Sequence, residues 1–144
     1  MRKSRVGFAS AAAVLSAAMV MIQASPAAAD PSTTVSITTT DSGPVGGTAI
    51  FSGDIDRPSG DHRESISACD KQADGLRVYA EVGWQVNEST WTYESVEDAD
   101  GAGNGCKGLV LPNITEGQTV YVKACLKDGA NGALRYCGTG TGKA

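Results

Sequence analysis

Four cysteines constrain this chain more than anything else in it. Cys69, Cys106, Cys125 and Cys137 are its only cysteines, and all lie well beyond the N-terminal apolar run of a 144-residue sequence. None forms a C-x-x-C pair, and the single histidine, His62, sits in a polar stretch away from them. A zinc site needs close ligand pairs, so zinc is not expected. An even cysteine count in a small exported domain reads instead as two disulfides. Three pairings are open to four cysteines. Between Cys125 and Cys137 lies KDGANG, a hairpin turn signal that contains the midpoint between them. A symmetric hairpin sets these two residues opposite each other on one face, within disulfide reach. Cys125–Cys137 is therefore expected, and Cys69–Cys106 follows by elimination, tying two long loops together.

The N-terminus supports the oxidising compartment. Arg2, Lys3 and Arg5 precede an alanine-rich apolar run, Val6 to Ile22, and Ala27-Ala28-Ala29 offers a small-residue cleavage site. That is the layout of a secretory signal peptide. The apolar run falls short of the ~20 residues of a spanning helix, and a membrane anchor is the weaker alternative. Residues 1–29 are expected to be cleaved, leaving a single secreted domain, 30–144. The leader holds three basic residues and no acidic one, so the remainder is more acidic than the −4 of the whole chain. Such a surface has no footprint for nucleic acid or anionic membrane. A secreted, extracellular monomer is expected.

Beyond the leader no segment carries apolar residues at helical spacing. Short alternating runs bounded by Gly, Asn, Asp and Pro recur instead. They fall at 33–39, 48–55, 76–84, 91–96, 108–111, 119–126 and 134–139. About seven short strands with turns between them predict an all-β fold, a small antiparallel immunoglobulin-like β-sandwich with two disulfides. A closed barrel is the alternative. Leu76, Val78, Ala80, Val82 and Trp84 share one face of their run, as do Val120, Val122, Ala124 and Leu126. Trp84 and Phe51 are the candidates for the centre of the core. Cys125 falls on the opposite face, with Tyr121, Lys123 and Lys127.

The stretch DADGAGNGCKG, from Asp98 to Gly108, poses a question of its own. As an EF-hand loop it places Asp98, Asp100 and Gly103 correctly, but Ala102 and Leu109 stand where an oxygen ligand and the bidentate glutamate belong. A looser calcium site on Asp98, Asp100 and Asn104 is the weaker reading. The stronger is a tight glycine turn pinned by Cys106.

No catalytic set emerges. A Ser-His-Asp triad would have to use His62, and there is no G-x-S-x-G elbow. The pairs Asp54/Asp56 and Glu97/Asp98 could act as glycosidase acids, but the aromatic-poor chain offers little of the cleft that sugar rings need. No enzyme activity and no cofactor are expected. Two binding surfaces are. The long polar connection from Asp56 to Gly75 carries Arg57, His62 and Arg63, and long loops on rigid scaffolds often carry function. Trp91 and Tyr93 share one face of their strand. Exposed, they would form an aromatic platform; the core is the commoner place for such residues and is favoured here.

The runs CDKQADG, VEDADGAGNGCKGL and NITEGQTVYVKACLKD, closed by Cys137, resemble a group of small secreted actinomycete proteins of uncharacterised function. The resemblance covers most of the chain after Cys69 and implies secretion, β structure and disulfides. At the level of fold the chain is also similar to the neocarzinostatin-type apoproteins, which are acidic, secreted and immunoglobulin-like, with two disulfides in closer cysteine pairs. That similarity implies a small-ligand carrier. The leading expectation is a secreted, non-catalytic binding or protein-interaction module, with an extracellular protein or a small ligand as its partner. A chromophore-type carrier and an inhibitor of an extracellular hydrolase are the alternatives.

Overall fold

The computed structural model describes residues 34–56 and 62–144, without the side chains of residues 55, 56 and 62. The expected leader and Arg57 lie outside the described residues. Eight strands form two antiparallel sheets among the described residues, with no helix. The strands are β1 (Thr34–Thr38), β2 (Gly47–Asp56), β3 (His62–Asp70), β4 (Arg77–Asn87), β5 (Thr90–Asp98), β6 (Lys107–Val110), β7 (Thr119–Lys127) and β8 (Leu134–Lys143). One sheet has the order β1-β2-β3-β6, the other β5-β4-β7-β8. The fold is the expected all-β sandwich.

Alternation builds the core. Val78, Ala80, Val82 and Trp84 of β4 meet Val120, Val122, Ala124 and Leu126 of β7 on the inner face of one sheet. Ala49 and Phe51 of β2 and Ile66 and Ala68 of β3 supply the facing layer. Leu111 and Ile114 join this core. Each large side chain among these contributes about 1.5–3 kcal/mol on burial.

Seven strands were expected and eight are present, because the polar connection from Asp56 to Gly75 contains β3. Its inward positions are Glu64, Ile66, Ala68 and Asp70, so only the middle two look apolar. Glu64 is fully buried, and both its carboxylate oxygens lie 3.2 Å from the Ile114 amide that donates to them. Its own carbonyl accepts from the Leu111 amide at 2.9 Å. A buried carboxylate thus fastens the segment after β6 to the sandwich, an inward role that alternation alone disguises as solvent exposure.

Both disulfides are those expected: Cys69–Cys106 and Cys125–Cys137, with Cα separations of 4.3 and 4.2 Å. The first does not tie two loops together. Cys69 is in β3, and the β3–β6 register runs Ala68 opposite Lys107, so the bond continues that ladder by one step. The second depends on a bulge. Leu126 faces Arg135, yet Ala124 faces Gly138, so β8 carries one extra residue between these pairs. Tyr136 absorbs it with φ of +51°. The shift brings Cys137 opposite Cys125.

The sheets come close where β1 lies over β8. Gly138, Gly140 and Gly142 point inward there, and a β-carbon on any of them would press on Thr38, Ile37 or Val35. The Thr40 amide also donates to the Tyr136 carbonyl at 2.9 Å, bridging the two sheets.

Candidate functional site

The two outer faces differ in kind. The β1-β2-β3 face carries small hydroxyls: Ser52 stands opposite Ser65, Thr38 opposite Thr48, and Ser36 and Ser67 flank Ile50. The outer face of the β5-β4-β7-β8 sheet carries aromatic rings. Trp91 and Tyr93 on β5 and Tyr121 on β7 are 41%, 59% and 52% exposed. Large exposed rings in one patch mark interaction sites more often than isolated ones do.

Register explains how they meet. Gly83 of β4 pairs with Tyr93 on one side and with Tyr121 on the other. A β-carbon at Gly83 would sit 2.5 Å from a ring carbon of Tyr93, so the tyrosine ring lies across the β4 backbone. Trp91 braces both neighbours. Its ring is stacked on Tyr93 at 6.3 Å between centroids and meets Tyr121 edge-on at 5.3 Å. Such geometries add ~0.5–1.5 kcal/mol per pair beyond area burial. A groove of about 420 Å³ follows, lined by Tyr93, Gly83, Tyr121, Glu81, Lys123 and the Thr139–Thr141 stretch of β8.

Charged groups flank the rings, with Lys143 reaching Thr119 at one end and a set of ion pairs at the other. Lys123 and Glu81 are ion-paired at 2.7 Å, and the Tyr79 hydroxyl donates to Glu81 at 2.6 Å. Burial works to raise the Glu81 carboxyl, but the hydrogen bonds from Lys123 and Tyr79 outweigh it and hold it below the usual glutamate range. Burial, aided by the bond to Glu81, pushes the Tyr79 hydroxyl up. Next along, Lys127 and Arg77 both pair with Glu97, and the Lys127 ammonium lies 5.9 Å from the Tyr79 ring centre. Lys123 and Glu81 cancel, while Arg77 and Lys127 share the one carboxylate of Glu97.

The placement of Trp91 and Tyr93 corrects the preference for core. On β5 the inward positions are Thr92, Glu94, Val96 and Asp98, and the rings take the outward register. β5 is an edge strand whose inner side meets only the margin of the core. Tyr121 was placed on the outer face by its spacing, but its meeting with Trp91 runs across β4 and is invisible in a linear reading. Arg63 is exposed on β3, in the other sheet, so the structure does not join it to Trp91 and Tyr93. His62 is in β3 opposite Asp56, with its side chain outside the description.

The Asp98–Gly108 stretch is a turn whose groups engage one another. Asp98 is fully buried and one of its oxygens accepts from the Asp70 amide at 2.9 Å. Asp100 pairs with Lys107 at 2.6 Å, a contact that lowers the Asp100 carboxyl, and the Asn104 side-chain amide donates to the Asp100 carbonyl at 2.5 Å. Gly101, Gly103 and Gly105 have φ of +87°, +98° and +85°. Among the described residues no three His, Cys, Asp or Glu side chains gather as a metal site. The Cys69–Cys106 bond pins the end of this turn. Glu97 and Asp98 point to opposite sides of β5, which separates them as a catalytic pair.

No helix among the described residues is long and apolar enough to cross a membrane. No protein-family model matches the chain, and comparison with curated proteins and with solved structures finds no match for it.

Proposed function

We propose that this chain is a secreted, non-catalytic binding module whose target docks on the outer face of the β5-β4-β7-β8 sheet. The observation that carries this reading is the braced, exposed cluster of Trp91, Tyr93 and Tyr121 on regular strands. Rings ordered before binding lose little conformational freedom when a partner arrives, and that is where affinity is gained. Two disulfides fit an oxidising compartment, as does the N-terminal leader read from the sequence. The groove lies on the surface of a sheet rather than between the sheets, which favours a target that lies along it over a small ligand sealed inside.

Sedimentation with washed Gram-positive cell envelopes tests the reading. The chain with its leader removed is expected in the pellet, and the Tyr93→Ala/Tyr121→Ala double variant in the supernatant. Equal partitioning of the two, with both folded by circular dichroism, would remove this face as the binding surface.

A further inference from the structure

We infer that the occupant of this face is an uncharged polysaccharide, whose sugar rings stack on Tyr93 and Tyr121 while their hydroxyls bond to the groove wall. The inference rests on the proposed binding role of the same face and names the chemistry of its target.

Shape comes first. Tyr93 and Tyr121 stand on strands either side of β4, with Gly83 between them. Two strand spacings separate their backbones by roughly 10 Å. The missing side chain at Gly83 leaves a flat floor, and the Tyr93 ring already lies along it. Trp91 lies at 23° to the Tyr93 ring and at 62° to the Tyr121 ring, so the two tyrosines are inclined to each other and each offers a separate flat face to a flat ligand. The axial C–H groups of a pyranose carry slight positive charge and pack against the negative face of an aromatic ring. The groove is open, so a chain can run past both tyrosines instead of ending between them.

Charge narrows the choice. Among the described residues, the charged groups lining the groove are Glu81 and Lys123, and they neutralise each other at 2.7 Å. An anionic ligand would have to pull Lys123 from its partner, and a cationic one would have to do the same to Glu81. A chain with a net charge of −4 also repels polyanions at longer range. An uncharged ligand meets neither cost. The remaining polar groups are neutral donors and acceptors: the hydroxyls of Thr139 and Thr141 on the β8 wall and the phenol groups of the tyrosines. Hydroxyl-rich ligands pair with these, whereas a wholly apolar peptide or acyl chain would leave them unpaired.

The β1-β2-β3 face provides the contrast. It has hydroxyls in rows but no aromatic ring among them, and so has nothing for a sugar ring to stack on.

The probes are cellohexaose and hexa-N-acetylchitohexaose, two uncharged oligosaccharides, titrated into the chain with its leader removed. Tryptophan emission and calorimetry give the two readouts. Trp84 is 6% exposed and Trp91 41%, so a ligand-dependent change in emission reports on the cluster. Saturable binding of at least one probe below ~1 mM is expected. Its affinity should change less than about twofold between ~0.05 and ~0.5 M NaCl, since an uncharged ligand is not screened. Tyr93→Ala and Tyr121→Ala should each weaken it at least tenfold, and Tyr121→Phe, which keeps the ring, should weaken it less than Tyr121→Ala. Ser36→Ala and Ser67→Ala on the other sheet should leave it unchanged. Absence of binding by both probes at ~10 mM would overturn the inference, as would binding indifferent to both tyrosine-to-alanine changes. Envelope sedimentation separates the two levels of failure. If it needs Tyr93 and Tyr121 but is abolished by protease treatment of the envelopes, the face binds a protein and the glycan assignment falls alone. If it does not need them, both fall.

Discussion

The ring of Tyr93 rests on the backbone of Gly83, in a space that a single β-carbon would take, 2.5 Å from the nearest ring atom. Gly83→Ala should therefore displace the ring without unfolding the domain. Tyr93 is exposed and can swing aside, so stability should move by less than about 1 kcal/mol, with the gain of an alanine in a strand partly offsetting the contact. Near-ultraviolet circular dichroism should change as the stack with Trp91 is lost, and target affinity should fall about tenfold. Unchanged affinity would show that the ring's position over β4 is immaterial.

Glu64 gives the second expectation. Its carboxylate is buried and accepts from the Ile114 amide. Glu64→Ala removes the acceptor and leaves a hole, which should destabilise the fold by about 2–4 kcal/mol. Thermal melting should fall by roughly 10 °C for a domain of this size. Glu64→Gln keeps one acceptor oxygen and should fall between the two. Equal melting of all three proteins would mean that the segment after β6 is held by other contacts.

The hairpin bond offers a third test. Cys125→Ser/Cys137→Ser removes a link spanning 12 residues. The loss should be about 2–4 kcal/mol by the usual entropy of loop closure. The β7–β8 ladder runs on to Lys143 and should survive, so the far-ultraviolet spectrum is expected to persist. Denaturant midpoints measure the loss. A collapse of the spectrum would mean that the Tyr136 bulge cannot hold its register without the bond.

Acid gives a fourth. Burial raises the Asp70 carboxyl above its free value of 3.8, and nearby Asp74, Asp98 and Asp100 add to the rise against a hydrogen bond from the Gln72 amide. A raised acid holds its proton more tightly when folded. Stability from this group is therefore full below pH 3.8, falls as pH rises through the raised value, and is absent above it. Asp70→Asn keeps the acceptor for the Gln72 amide and removes the charge. It should melt higher than the parent at pH 7, with the advantage vanishing below pH 3.8. Glu81 behaves oppositely, its stabilisation being lost as pH falls through its lowered value, but that slope is common to both proteins and cancels in the difference. A constant gap at every pH would assign the effect to something other than this carboxyl.

Strand periodicity carried most of the fold into view, because Val78 to Trp84 and Val120 to Leu126 alternate without interruption. The hairpin disulfide was legible from the turn between its cysteines, although the extra residue at Tyr136 was not, since a bulge leaves no mark on composition. β3 stayed hidden because Glu64 and Asp70 occupy inward positions, and a buried carboxylate looks in sequence like an exposed one. The site was half legible. Trp91 and Tyr93 announced a shared face, but which face was decided by Gly83 and by the edge position of β5. Tyr121 joins them across a strand, 28 residues from Tyr93 in sequence, and only pairing reveals that neighbourhood.

The alternation of β8 divides its residues into two classes of freedom. Gly138, Gly140 and Gly142 are committed to the close approach of β1, and any side chain there would push the sheets apart. Thr139 and Thr141, between them, border the groove and bear none of that load. The wall of the groove can therefore be rewritten one residue at a time while the scaffold stays fixed. A lineage carrying this domain could change what it recognises without first having to become less stable.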